Sequence, residues 1–138
     1  MMKNIAWIFG VLFLATGFLG FVPEATPKGL LFGLFEVDGI HNVIHLSTGA
    51  IAIIAALYTE SASRTFFQAV GVIYGVVAIL GFLAAPNPLM GMVHLNSADN
   101  FLHLGVSAVA IYLGFIAKER VSRVYEITDR DHKERNAA

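Results

Sequence analysis

The sequence predicts an all-α fold, a four-helix transmembrane bundle built from two tandem helix hairpins. Three observations predict it: an apolar composition, charges confined to the ends of long neutral runs, and a polar motif that occurs twice. Of 138 residues, 57% are hydrophobic and 14% charged, where a soluble domain carries about 25% charge. Mean hydropathy is +0.70. Such a chain is neither disordered nor an ordinary soluble enzyme. It has no cysteine, which excludes disulfides, a thiolate nucleophile, thiolate-bound zinc and iron–sulfur clusters. A net charge of −1 gives no electrostatic case for nucleic acid.

Neutral runs of about 18 residues or more are candidate spans. Asn4 to Pro23 is the first, between Lys3 and Glu24. Gly39 to Thr59 is the second, between Asp38 and Glu60. Thr65 to Ala98 is too long for one span, and Pro86 and Pro88 divide it into a helix and a loop. Asn100 to Ala117 is the last, ended by Lys118. The predicted helices are 4–22, 40–59, 65–85 and 99–117. A soluble bundle would need a polar stripe on each helix, and these runs have none. The first run has the short basic start of a signal peptide but no small-x-small cleavage site, so it reads as a retained helix.

Basic residues set the orientation. Lys3, Arg64, Lys118, Arg120, Arg123, Arg130, Lys133 and Arg135 fall on one side and only Lys28 on the other. Both termini are expected in the cytoplasm, with loops 23–39 and 86–98 outside. That side carries Glu24, Glu36, Asp38 and, at the start of the last helix, Asp99, a mildly acidic surface. Glu36 and Asp38 have no visible partner and read as solvated.

His41-Asn42-Val43-Ile44-His45-Leu46 aligns with Asp99-Asn100-Phe101-Leu102-His103-Leu104. Gly49 then matches Ser107, Ala50 matches Ala108, and Gly33 pairs with Gly91 at the same offset. Gly10 and Gly20-Phe21 match Gly71 and Gly81-Phe82. This pattern predicts two copies of helix–loop–helix, residues 1–60 and 64–117, within one membrane domain of 1–117. Two spans per copy give both the same orientation, hence a pseudo-twofold axis along the membrane normal.

The segment His41-Asn-Val-Ile-His45-Leu-Ser-Thr-Gly49, preceded by Leu31-Phe-Gly-Leu-Phe-Glu-Val-Asp38, carries a family resemblance. So does Asn96-Ser-Ala-Asp-Asn100-Phe-Leu-His103-Leu. Over roughly residues 3–117 the chain resembles the small four-helix bacterial membrane proteins of the domain of unknown function 4383 family. The resemblance implies four spans in the bacterial inner membrane and implies no activity. Gly39 departs from the family, which favours proline before the His-Asn pair.

Helix positions i and i+4 share a face. His41 and His45 therefore stack, as do Asp99 and His103, and the axis brings the two faces together near the outer boundary. His94 is within reach from the last loop. Asn42 and Asn100 are expected to start their helices as caps. Three readings of the cluster compete. In the structural one, the motif Asn42, His45 and Gly49 and its match Asn100, His103 and Ser107 pair across helices because lipid offers no partner. In the second, His41, His45, Asp99 and His103 are a sufficient set for zinc, copper or iron. In the third, His45 and His103 are the axial ligands of a haem. A quinone, lipid, proton-relay or pH-sensing site is a further possibility.

Small-residue faces on the first helix (Ala6, Gly10, Gly17) and third helix (Gly71, Gly75, Ala78, Gly81) favour packing inside the bundle over a dimer interface. Trp7, Tyr58, Tyr74 and Tyr112 include candidate interfacial anchors, with a deeper position the alternative for the last two. Leu30 to Phe35 is expected to lie along the interface or cap the bundle. The tail 118–138 is charged, with Val121, Val124 and Tyr125 at helical spacing before a disordered end. No phosphate loop or serine–histidine–acid set occurs. The leading class is a non-enzymatic membrane protein of the envelope or of a larger complex, with the lipid bilayer as its surroundings and a homo-oligomer or membrane partner open. The alternative is a metal- or haem-binding protein with a redox, transport or sensing role.

Overall fold

The computed structural model describes residues 1–117 and, in the tail, Arg135. Four helices dominate: α1 (Met2–Leu19), α2 (Gly39–Tyr58), α3 (Glu60–Ala84) and α4 (Ser97–Ile111). The last continues as a wider π-helical turn, Tyr112–Ile116. With that turn counted into the last, all four are long and apolar enough to cross a membrane. The inward helical extension expected at Val121, Val124 and Tyr125 lies outside the described residues.

Side chains sort in the sense opposite to a soluble protein. Bulky Ile8, Leu12, Ile51, Ile54, Val72 and Ile79 are exposed. The buried positions include Ala6, Ala52, Ala56, Ala78, Ala110, Ser63 and Ser107. Burying small residues brings backbones together, and that close packing drives association where lipid is as apolar as leucine. Both small-residue faces pack within the bundle, as expected. A β-carbon on Gly10 of α1 would stand 2.9 Å from the Gly49 carbonyl oxygen of α2. One on Gly71 of α3 would stand 2.9 Å from the Ile111 nitrogen of α4. A phenylalanine cluster fills the space between the pairs: Phe67 meets Phe9 edge-on, and Phe9 stacks on Phe13.

Several helix ends differ from the sequence reading. Asn42 and Asn100 are not caps. Asp38 caps α2, its Oδ1 accepting from the Ile40 and His41 amides at 2.8 Å each. Asn96 caps α4 in a reciprocal box with Asp99. Both caps lie a turn ahead of the expected asparagines, which puts Asn42 and Asn100 inside their helices. Helix α3 begins at Glu60, not 65, because Thr59 alone links it to α2 and caps it. Glu60 and Arg64 belong to that helix and tie chain segments together. The Met1 amino group donates to Glu60 Oε1 at 2.7 Å. Arg64 donates to the Gly114 and Ala117 carbonyls at 3.3 and 2.6 Å, holding the end of the π-helical turn.

At the opposite end, each long loop makes a tight hairpin. In the first, β1 (Leu30–Leu31) pairs antiparallel with β2 (Phe35–Glu36). In the second, Leu89 bridges Val93. Phe32 and Gly33, like Met90 and Gly91, have φ between 52° and 73°, the left-handed pair that a type I′ turn requires.

Candidate functional site

The loop ends of α2 and α4 are locked before any imidazole is placed. Asp38 Oδ2 accepts from the His94 amide at 2.7 Å and lies 3.4 Å from His94 Nδ1. Burial opposes ionisation of this carboxyl. The amides of His41, His94 and Ile40 outweigh it and hold Asp38 below the usual carboxylate range. Asp99 Oδ2 accepts from the Asn96 amide at 3.0 Å and the Glu36 amide at 2.9 Å. Asn96 Nδ2 donates to the Leu34 carbonyl at 2.8 Å. Each loop is thus tied to the acidic start of a helix from the other half of the chain. Asp38 is not the solvated carboxylate expected from sequence, and the Glu36 backbone is tied down.

Three imidazoles converge beneath these ties. His41 Nε2 and His45 Nε2, one turn apart on α2, are 3.1 Å from each other. The His103 ring of α4 stands 5.8 and 6.1 Å from theirs, centroid to centroid. One nitrogen from each ring falls in a group within 4.8 Å. His41 and His103 are buried and His45 is partly buried. Helix α1 supplies Thr16, whose Oγ1 is 3.1 Å from His45 Nδ1. Helix α3 supplies Tyr74, whose ring meets His103 edge-on at 5.2 Å and whose hydroxyl lies 3.2 Å from Thr48 Oγ1. Tyr74 is therefore buried inside the bundle rather than on its outer surface.

Two ring nitrogens, His41 Nδ1 and His103 Nδ1, are buried without a hydrogen-bond partner among the described residues. An unmet buried polar atom costs about 1–3 kcal/mol. Above the rings lies a cavity of about 70 Å³, lined by Thr16 and Asp99 and covered by Leu31, Phe32 and Phe35 of the first hairpin. The apolar loop segment therefore caps the bundle, one of its two expected placements.

Of the four expected metal ligands, the structure brings the three histidines into one group. The Asp99 carboxylate lines the same cavity but lies outside that group, engaged by backbone amides. His94 is held on Asp38 and belongs neither to the cavity lining nor to the three-imidazole group. Ligand nitrogens about 2.0–2.1 Å from a tetrahedral zinc stand roughly 3.3 Å apart. The His41–His45 pair already meets that spacing. Sequence reasoning missed Thr16 and Tyr74. Thr16 gave one signal, a hydroxyl in an otherwise apolar span.

These features define a class: an all-α protein of four membrane-span helices with a polar, imidazole-rich cluster at one end. The chain belongs to the family described as Domain of unknown function (DUF4383), whose sequence model matches residues 3–116. No curated protein and no solved structure matches it.

Proposed function

We propose that this chain is a non-enzymatic, multi-pass protein of the bacterial inner membrane that holds one transition-metal ion, zinc or copper, on His41, His45 and His103. One observation carries the reading: three imidazole nitrogens from two helices gather within 4.8 Å. The unpartnered Nδ1 of His103 supports it, because a buried imidazole nitrogen is costly unless something binds there. A ring uses one nitrogen for a metal and needs a hydrogen bond on the other. Thr16 meets that need for His45. A binding role suits the space. The 70 Å³ cavity admits an ion with a water, and is well below the roughly 300–1,000 Å³ of small-molecule sites. By the same measure it favours an ion over haem.

The purely structural reading has its own support. The His41–His45 contact and the Thr16–His45 contact are hydrogen bonds of ordinary length. Metal content of protein purified gently without chelator decides between the two. Near-stoichiometric zinc or copper supports the ligand reading, and metal-free protein that also refuses added zinc and copper overturns it.

The tandem repeat and its axis along the membrane normal belong to the same proposal. At an offset of 58 (100 − 42), Asn42 matches Asn100 and cap Asp38 matches cap Asn96. Turn residues Phe32-Gly33 match Met90-Gly91 at that offset, with matching φ signs. With the basic residues on one side, the cluster would lie near the outer leaflet and both termini in the cytoplasm.

A further inference from the structure

The chain has four methionines. Two are Met1 and Met2. The other two, Met90 and Met92, flank Gly91 at the tip of the second hairpin and are 81% and 54% exposed. Methionine ordinarily fills gaps in apolar cores, and these two fill none. Nor does the turn demand them. The first hairpin has the same backbone with Phe32 and Leu34 in their places. There the Gly33 and Leu34 amides donate to Leu30 and Leu31 at 2.9 and 3.1 Å. In the second hairpin the Gly91 and Met92 amides donate to Pro88 and Leu89 at 3.0 and 3.1 Å. Two hydrocarbon side chains build this tip as well as two thioethers do.

Two residues beyond Met92 stands His94. Each two-residue step from Met90 to Met92 to His94 spans at most about 7 Å of chain, which long thioether and imidazole side chains can bridge. The His94 amide is anchored on Asp38, and its Nδ1 lies 3.4 Å from the same carboxylate oxygen. Its side chain is 52% exposed. A carboxylate on one ring nitrogen is the usual support for an imidazole that binds metal through the other. Here that other nitrogen is Nε2.

We propose that Met90, Met92 and His94 form a second, surface metal site that takes monovalent copper. Thioether sulfur is a soft ligand that selects Cu(I), and imidazole suits copper as well. Zinc and other divalent ions gain little from thioethers, so the site discriminates by softness. It is independent of the three-imidazole cluster, sharing no ligand with it, although Asp38 lies only three residues before His41.

The test uses the full chain in detergent, labelled with ¹³C at the methionine methyls and titrated anaerobically with Cu(I), or with Ag(I) as its redox-inert analogue. The Met90 and Met92 methyl resonances should move and saturate within one equivalent beyond any copper taken by the three-imidazole cluster, while those of Met1 and Met2 stay. Zinc should leave all four in place. The double variant Met90→Leu, Met92→Leu copies the hydrocarbon tip of the first hairpin, so it should fold and bind one Cu(I) fewer. His94→Gln should weaken binding by roughly tenfold or more. His45→Gln and His103→Gln should leave the methyl shifts intact, which separates this site from the inner one. Unmoved Met90 and Met92 resonances with Cu(I) and Ag(I), equal movement with zinc, or equal copper stoichiometry in the double-leucine variant would each overturn the assignment.

Discussion

Asn100 occupies the space that a side chain on Gly81 would need, and Asn42 stands in the same relation to Gly20. A β-carbon at either glycine would overlap the carboxamide oxygen opposite. Each asparagine is thereby locked into a notch of the neighbouring helix, one turn from a histidine of the cluster. Gly81→Ala and Gly20→Ala should each destabilise the bundle by about 1–3 kcal/mol, the usual cost of overpacking. Asn100 is fully buried with both side-chain polar atoms unpartnered. Shortening it should therefore relieve the clash, and Gly81→Ala with Asn100→Ala should melt above Gly81→Ala alone. Thermal melting in detergent reads both effects. Equal melting of Gly81→Ala and the parent would refute the notch.

The four spans were legible because lipid imposes a simple rule: long neutral runs that close their own hydrogen bonds. The histidines were legible as well, since i, i+4 spacing on α2 and a matched position on α4 needed only helix geometry. Local chemistry at the helix ends was not. Glu60 and Arg64 looked like a charged loop, and nothing nearby in sequence reveals that they bind Met1 and Ala117. Asn42 and Asn100 looked like caps because asparagine is a good one. The better choice was present at the same offset of 58 (96 − 38): Asp38 aligns with Asn96, both strong cap residues. The contributions of Thr16 and Tyr74 depend on how the first and third helices face the cluster, which periodicity alone does not fix.

The proposed orientation can be read with single cysteines, since the chain has none of its own. Glu24 and Asn87 lie in the two long loops and are exposed. Ser61, in the first turn of α3, is exposed too, whereas Ser63 two residues on is fully buried and would stay unlabelled in any orientation. With an impermeant reagent on intact spheroplasts, Glu24→Cys and Asn87→Cys should label and Ser61→Cys should not. The reverse pattern would place the imidazole cluster at the cytoplasmic face.

Asp38 gives the fold an acid limit. Its folded pKa lies below the ordinary value of 3.8, so the unfolded chain binds the proton more readily. The resulting stabilisation is fully present above the unfolded pKa and is lost as pH falls through the folded one. Melting temperature should thus drop more steeply below about pH 4 in the parent than in Asp38→Asn. The variant should be less stable at neutral pH, because a neutral amide is a weaker acceptor for three backbone N–H groups. Parallel pH–stability curves for the two proteins would remove Asp38 from this role.

Metal binding and structural pairing make opposite demands on His45 and His103. Glutamine keeps a hydrogen-bonding end but is a poor metal ligand, whereas leucine keeps neither property. If the rings serve only to pair across helices, His45→Gln should be nearly tolerated. Leucine should then cost more, on the scale of about 0.6–2 kcal/mol per lost interhelical bond, because Thr16 loses its partner. If the rings hold an ion, Gln and Leu should remove it equally while the bundle stays folded. The same should hold at His103, although its Nδ1 makes no hydrogen bond in the structure. That makes His103 the sharper position. With no bond to lose, a structural role predicts little difference between His103→Gln and His103→Leu in melting, and no change in metal content. A ligand role predicts loss of the metal, and of any metal-dependent gain in melting temperature, in both. Elemental analysis alongside detergent melting of the four variants separates the cases. Retention of stoichiometric metal by folded His103→Leu would sink the three-imidazole site.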